Sequence, residues 1–284
     1  MTATTTSAVP AAPVPRGGLR PRGPVWAVWR VHRWALLVWC AYVLLMVGWM
    51  LWLHFVDGAQ VRAEAAACRM RSGGCIDIGS VFGYSSGLSW AGTFIAYFSY
   101  GVAAWAGASL IGRELENGTA QLAWTQSVTP VRWLTAKLAV PAVALTLGTA
   151  VLVLVYRWAW SSNRDLLGDE WHYNDPFVNR GPALLAYALC ALAVGALAGL
   201  ALKRSLAALT VAFGFILGFH LYLDDHWPDL WPARTLRGTG DGRYPDDHPA
   251  SQFWPPHLMT TGVILAVAAL ATAAAFWLLR RRTR

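Results

Sequence analysis

The chain is short of charge, and shortest of lysine. Asp, Glu, Lys and Arg make up only 13% of its 284 residues, about half the share of a soluble domain. Lysine occurs twice, at Lys137 and Lys203. A soluble enzyme is excluded first, because the 56% hydrophobic residues are gathered into uncharged runs of bilayer-spanning length. The two lysines also fail to supply a phosphate-cradling loop ending in GK[ST]: Lys137 follows Leu-Thr-Ala and Lys203 precedes Arg204. Mid-span acid is missing as well. None of the 15 acidic residues falls at the middle of an apolar run, where an ion-coupled carrier keeps its titrating carboxylate. His54 and His220 lie toward the outer ends of their runs, where an amphipathic ring is at ease without a chemical task. Ser99 and Ser109 sit at membrane depth, where an intramembrane protease would keep its nucleophile beside a base, but nothing further in the sequence supports that role for either.

Cysteine is scarce too, with four residues. Cys40 and Cys190 lie mid-span and behave as small apolar residues. Cys68 and Cys75 share the first outer loop, where a disulfide is expected and would fix the loop's shape. No zinc site follows from four cysteines so placed. Acid and histidine residues cluster at 171–175, 224–226 and 246–248, but their spacing matches no tight metal motif. No metal is expected.

What is present is an all-α membrane protein. Residues 1–24 are rich in Thr, Ala, Pro, Gly and Arg and read as a disordered tail. Residues 25–33, VWAVWRVHR, predict an interfacial elbow helix with Trp rings toward lipid and Arg30 and Arg33 toward head groups. Six spans follow over about 34–55, 90–112, 138–160, 182–202, 205–223 and 258–279. The 35 uncharged residues between Asp77 and Arg113 exceed one crossing and fall short of two, so a Gly- and Ser-rich surface segment is expected before span two. Only Lys203 and Arg204 separate spans four and five, which predicts a tight antiparallel hairpin.

Both termini then fall on one side. That side, with the connection between spans two and three and the hairpin turn, holds 14 of the 23 basic residues and only Glu114 and Glu116 among the acids, a net +12, against −4 for the remainder. The positive-inside rule places it in the cytoplasm. The overall +8 thus records membrane orientation, and nucleic acid is not an expected partner.

The most informative stretch joins spans two and three: GASLIGRELENGTAQLAWTQSVTPVRWLTAKL, from Gly107 to Leu138. Arg113, Glu114 and Glu116 continue the span-two helix, and Gly118 suits the left-handed residue that ends it. Leu122, Ala123 and Trp124 form a small apolar face, and Thr129-Pro130 supplies an N-cap with proline at the first helical position. Helix, break and short helix make a protruding knob that a separate motor protein could grip. The plainer alternative is an amphipathic connector anchored in head groups by Trp124 and Trp133. Small-residue stripes at Ala191, Gly195 and Gly199, and at Gly214 and Gly218, permit close helix packing within the bundle or between copies.

On these residues the chain resembles ABC-2 type ABC transporter permeases, especially the actinobacterial ones, in which an acidic pair before Gly-Thr precedes a "wtqsv…rwl…K" pattern. The resemblance implies a bacterial cell-membrane subunit of an exporter. Its knob would be the coupling helix, with Arg113, Glu114, Glu116, Gly118, Thr119, Trp124 and Gln126 at the docking site. Pro130 departs from the basic residue expected there. The resemblance further implies two permease copies, identical or paralogous, and a separately encoded ATPase that carries ATP and Mg²⁺, with no cofactor on this chain. A pathway of Ala, Gly, Ser, Thr and aromatic side chains suits an amphipathic or hydrophobic cargo such as a drug, peptide antibiotic or lipid-like compound. The competing readings are a membrane-embedded enzyme and a non-transporting receptor or assembly factor.

Overall fold

In the computed structural model, residues 33–69, 79–125, 128–163, 174–226 and 253–283 are described. The elbow expected over 25–33 lies almost wholly outside them, as do Cys75, Gln126 and the cluster at 246–248. The Cys68 side chain is likewise outside the description, so the expected disulfide is too.

Every regular element among the described residues is helical: α1 (Arg33–Trp52), a π-helical turn (Leu53–Asp57), α2 (Gly58–Arg69), α3 (Gly79–Glu116), α4 (Thr119–Thr125), α5 (Pro130–Ser162), α6 (Asn174–Asn179), α7 (Ala183–Leu202), α8 (Ser205–His226) and α9 (Trp254–Arg282). Six helical stretches are long and apolar enough to cross a bilayer: 33–67, 81–116, 130–162, 183–202, 205–226 and 254–282. Residues 90–112 form only part of α3, which begins at Gly79 and runs for 38 residues. At 1.5 Å per residue that is about 57 Å, nearly twice a hydrocarbon core. The Gly- and Ser-rich stretch is therefore the first turns of α3 and not a separate surface segment. Its small residues let the helix lie close to its neighbour, as at Gly87, where an added Cβ would come within 2.9 Å of Leu53.

The bundle is organised on α7. A helix that is apolar all round belongs inside, and 78% of the most apolar window of α7 is buried, against 61% for α3 and 28% or less for the other four spans. Its tightest neighbour is α3. An ideal Cβ on Gly107 would stand 2.2 Å from the Leu192 carbonyl oxygen, and one on Gly195 would stand 2.7 Å from that of Ala104. Only residues without Cβ let these backbones approach so far, the device expected where lipid supplies no hydrophobic drive between helices. Outer helices are tied on by aromatic polar tips. On α1, Trp39 Nε1 donates to Ala144 O of α5 at 3.0 Å, and Tyr42 Oη donates to Phe94 O of α3 at 2.8 Å.

The two-residue turn between α7 and α8 forms as expected. Lys203 holds it with φ +54°, and its N–H bonds Gly199 O at 3.0 Å.

Candidate functional site

The connection between α3 and α5 builds outward from a break in the helix. Gly118, at φ +70°, ends α3, and the Thr119 hydroxyl donates to Glu114 O at 3.3 Å, closing the last turn. Helix α4 starts at once. Thr129 then caps α5, its Oγ1 accepting from the Arg132 N–H at 3.3 Å. These are the break and the cap that Gly118 and Thr129-Pro130 predict.

The apolar face of α4 differs from the expected one. Ala120 is fully buried, with Ala123 and Trp124 packed beside it against Ile111, Trp133, Leu134, Leu200, Ala275 and Leu279. Leu122 points away, 59% exposed. Residues at i, i+3 and i+4 share a helix face whereas i+2 does not, so adjacency in sequence misassigned Leu122. Trp133 is no head-group anchor either. It is 4% exposed, stands edge-on to Trp124 with ring centroids 5.7 Å apart, and donates through Nε1 to Glu114 Oε2 at 2.8 Å.

Glu114 is the fastening of the site. Its other oxygen accepts from the Lys137 ammonium in a close ion pair. One carboxylate on α3 thus holds two donors on the first two turns of α5, in a part-buried setting where charge-assisted bonds are worth more than at a surface. Glu116 turns the other way. Its Oε2 accepts from the Ser205 hydroxyl at 3.0 Å and from the Ser205 N–H at 3.4 Å, capping the first turn of α8, where negative charge suits the helix dipole. The matching cation sits on α9: the Arg282 guanidinium donates to Leu200 O and Ala201 O at the C-terminus of α7. The α7–α8 hairpin is therefore clamped by an acid from α3 at one helix end and a base from α9 at the other.

The structure brings together Glu114, Glu116, Gly118, Thr119 and Trp124, with Arg113 exposed on the same turn. Both acidic groups face inward contacts of this chain. Lys137, Trp133 and Ser205, their partners, were not among the candidate residues, nor was Arg282, which caps α7. A basic last turn on α9 signals a capping role, but which helix it caps is a tertiary fact. Of the small-residue stripes, Gly195 and Gly199 lie against α3, whereas an added Cβ at Gly214 or Gly218 meets nothing within 4 Å.

At the opposite end a second polar knot joins three helices. Asn163, 2% exposed, donates through Nδ2 to Tyr84 Oη at 2.7 Å and faces His54 Nδ1 at 3.0 Å. Its Oδ1 accepts from Arg62. The π-helical turn carries His54 into this contact, one of the local adjustments that such turns provide. His220 packs among the rings of Tyr97, Tyr100 and Tyr187. Among the described residues no group of three or more His, Cys, Asp or Glu side chains is placed to hold a metal ion.

Five apolar helices packed around the buried α7, with a capped knob between the second and third of the six, define a multi-pass protein of the helical membrane class. The chain belongs to the ABC-2 membrane transporter related family, whose model matches residues 36–225, two thirds of its length. No curated protein and no solved structure matches it.

Proposed function

We propose that this chain is the permease subunit of an ATP-driven exporter, worked by a separately encoded ATPase that docks on the knob formed by the end of α3, α4 and the start of α5. One observation carries the reading. Helix α4 buries Ala120 while Gln121, Leu122 and Thr125 face outward, and directly behind it Glu114 fastens α3 to α5. A push on α4 is therefore delivered to both long helices as one rigid body, which is what conversion of a nucleotide-driven movement into helix tilt requires.

In this reading the exposed docking contact is Leu122, and Glu114 and Glu116 act through rigidity. Arg113 and Thr119 complete the described part of the knob. The arginine-rich end of the bundle lies in the cytoplasm, a second copy of the chain or a paralogue completes the pathway, and ATP with Mg²⁺ resides on the ATPase. Spans without mid-depth acids favour an amphipathic or hydrophobic cargo moved outward across the bacterial cell membrane.

Leu122→Glu tests the docking face. Capture of the ATPase by the full-length chain should fall about tenfold, the loss of one exposed apolar anchor, with the thermal midpoint unchanged within the scatter of a surface substitution. Undiminished capture by that variant sinks the assignment.

A further inference from the structure

Helices α5 and α9 both pack on α7 but touch each other little. The gap between them is a groove of about 410 Å³, against about 50 Å³ for the pocket between α1, α3 and α5 and about 10 Å³ for the one beside His220. Leu189, Leu192 and Ala193 of α7 form its floor, and alanines such as Ala139, Ala142 and Ala269 keep its walls low. Thr135 and Thr272 also line it, but each hydroxyl donates to its own helix, to Val131 O at 2.9 Å and Ala268 O at 2.8 Å. The groove offers mostly carbon to an occupant.

At one end it offers charge. Arg132 lies three residues before Thr135 on α5, and Arg280 lies four residues after Phe276 on α9, so each continues the groove-lining face of its helix by one turn. Both are exposed, and among the described residues neither guanidinium has an ion pair or side-chain hydrogen bond. Their neighbour Arg282 is spent on α7.

We propose that this groove holds an acyl chain of an anionic phospholipid, with its phosphate bound between Arg132 and Arg280. In a bilayer the apolar trough selects nothing by itself, since every lipid tail is equally apolar. The arginines supply the selection, because a phosphate accepts from two guanidinium groups at once. A second copy of the chain fits the same place poorly. Two copies inserted the same way bring like ends together, so an isologous contact on this face would set Arg132 and Arg280 against their own duplicates.

The test is native mass spectrometry of the full-length chain released from nanodiscs of equal phosphatidylcholine and phosphatidylglycerol. Phosphatidylglycerol should be retained preferentially. Arg132→Gln with Arg280→Gln should lower the retained phosphatidylglycerol-to-phosphatidylcholine ratio by about twenty-five-fold, roughly fivefold per arginine near a lipid surface. Arg33→Gln with Arg204→Gln, which removes the same charge from another face, should leave it unchanged. Ala269→Phe, which fills the trough from an exposed position, should lower retention of both lipids. An unchanged ratio in the Arg132/Arg280 variant, or an equal fall in the Arg33/Arg204 variant, overturns the site. So does efficient cross-linking of two chains through Ala269→Cys, which would make a second copy the occupant.

Discussion

Helix α7 is closed on one side and open on another. Toward α3 the backbones meet at Gly107 and Gly195, so near that a Cβ would strike a carbonyl oxygen at 2.2 Å or 2.7 Å. Between α5 and α9 the same helix presents Leu189, Leu192 and Ala193 to a trough of about 410 Å³. The first contact is rigid because backbone cannot yield as a side chain can. The second is empty of protein because low alanine walls on both sides of it cannot reach across. In a membrane, where burying carbon against carbon gains little over lipid, this difference in fit separates a structural seam from a place where something else can bind.

The comparison can be broken most forcefully at the seam. Gly195→Leu should cost about 3 kcal/mol or more, the upper range for overpacking where backbone is the obstacle, and remove the monodisperse peak in size-exclusion chromatography after mild heating. A variant that elutes and melts like the parent would show that α3 and α7 stand farther apart. Next is the fastening that carries the seam's rigidity to the knob. Glu114→Ala leaves Lys137 and the Trp133 N–H without their acceptor and should cost about 2 kcal/mol, discounted from the full buried-pair penalty because the carboxylate is 30% exposed. Glu114→Gln, which keeps an acceptor for the indole, should lose less, and a Gln variant that melts like the parent would remove the charge from the account. The smallest effect belongs to the glycines that have the right spacing and no contact. Gly214→Ala with Gly218→Ala should be neutral or stabilising by up to about 1 kcal/mol per site, since alanine is the better helix former and nothing lies within 4 Å. A fall in thermal midpoint there would place a partner helix on that face of α8.

Much of the fold was legible because it obeys one-dimensional rules. Charge-free runs marked the six spans, Lys203-Arg204 marked the hairpin, and Gly118 with Thr129-Pro130 marked both edges of the knob, since termination and capping are decided within a few residues. The length of α3 was not legible: Gly and Ser read as surface linker, yet they continue a helix when neighbours such as Leu53 need the room. Leu122 was placed on the wrong face by adjacency in the sequence. The partners of Glu114 were hidden for a simpler reason, since Trp133 and Lys137 lie 19 and 23 residues away across a break whose angle no local pattern specifies.

By itself the sequence determined that this is a six-span helical membrane protein with its basic residues massed toward one end, because hydrocarbon demands uncharged helices and tolerates arginine only at their ends. Tertiary structure alone decided which glycines are seams, which acid is a strut and which a helix cap, and where the bundle stays open. Those outcomes depend on distances between helices, and a stripe of small residues permits a close approach without requiring one.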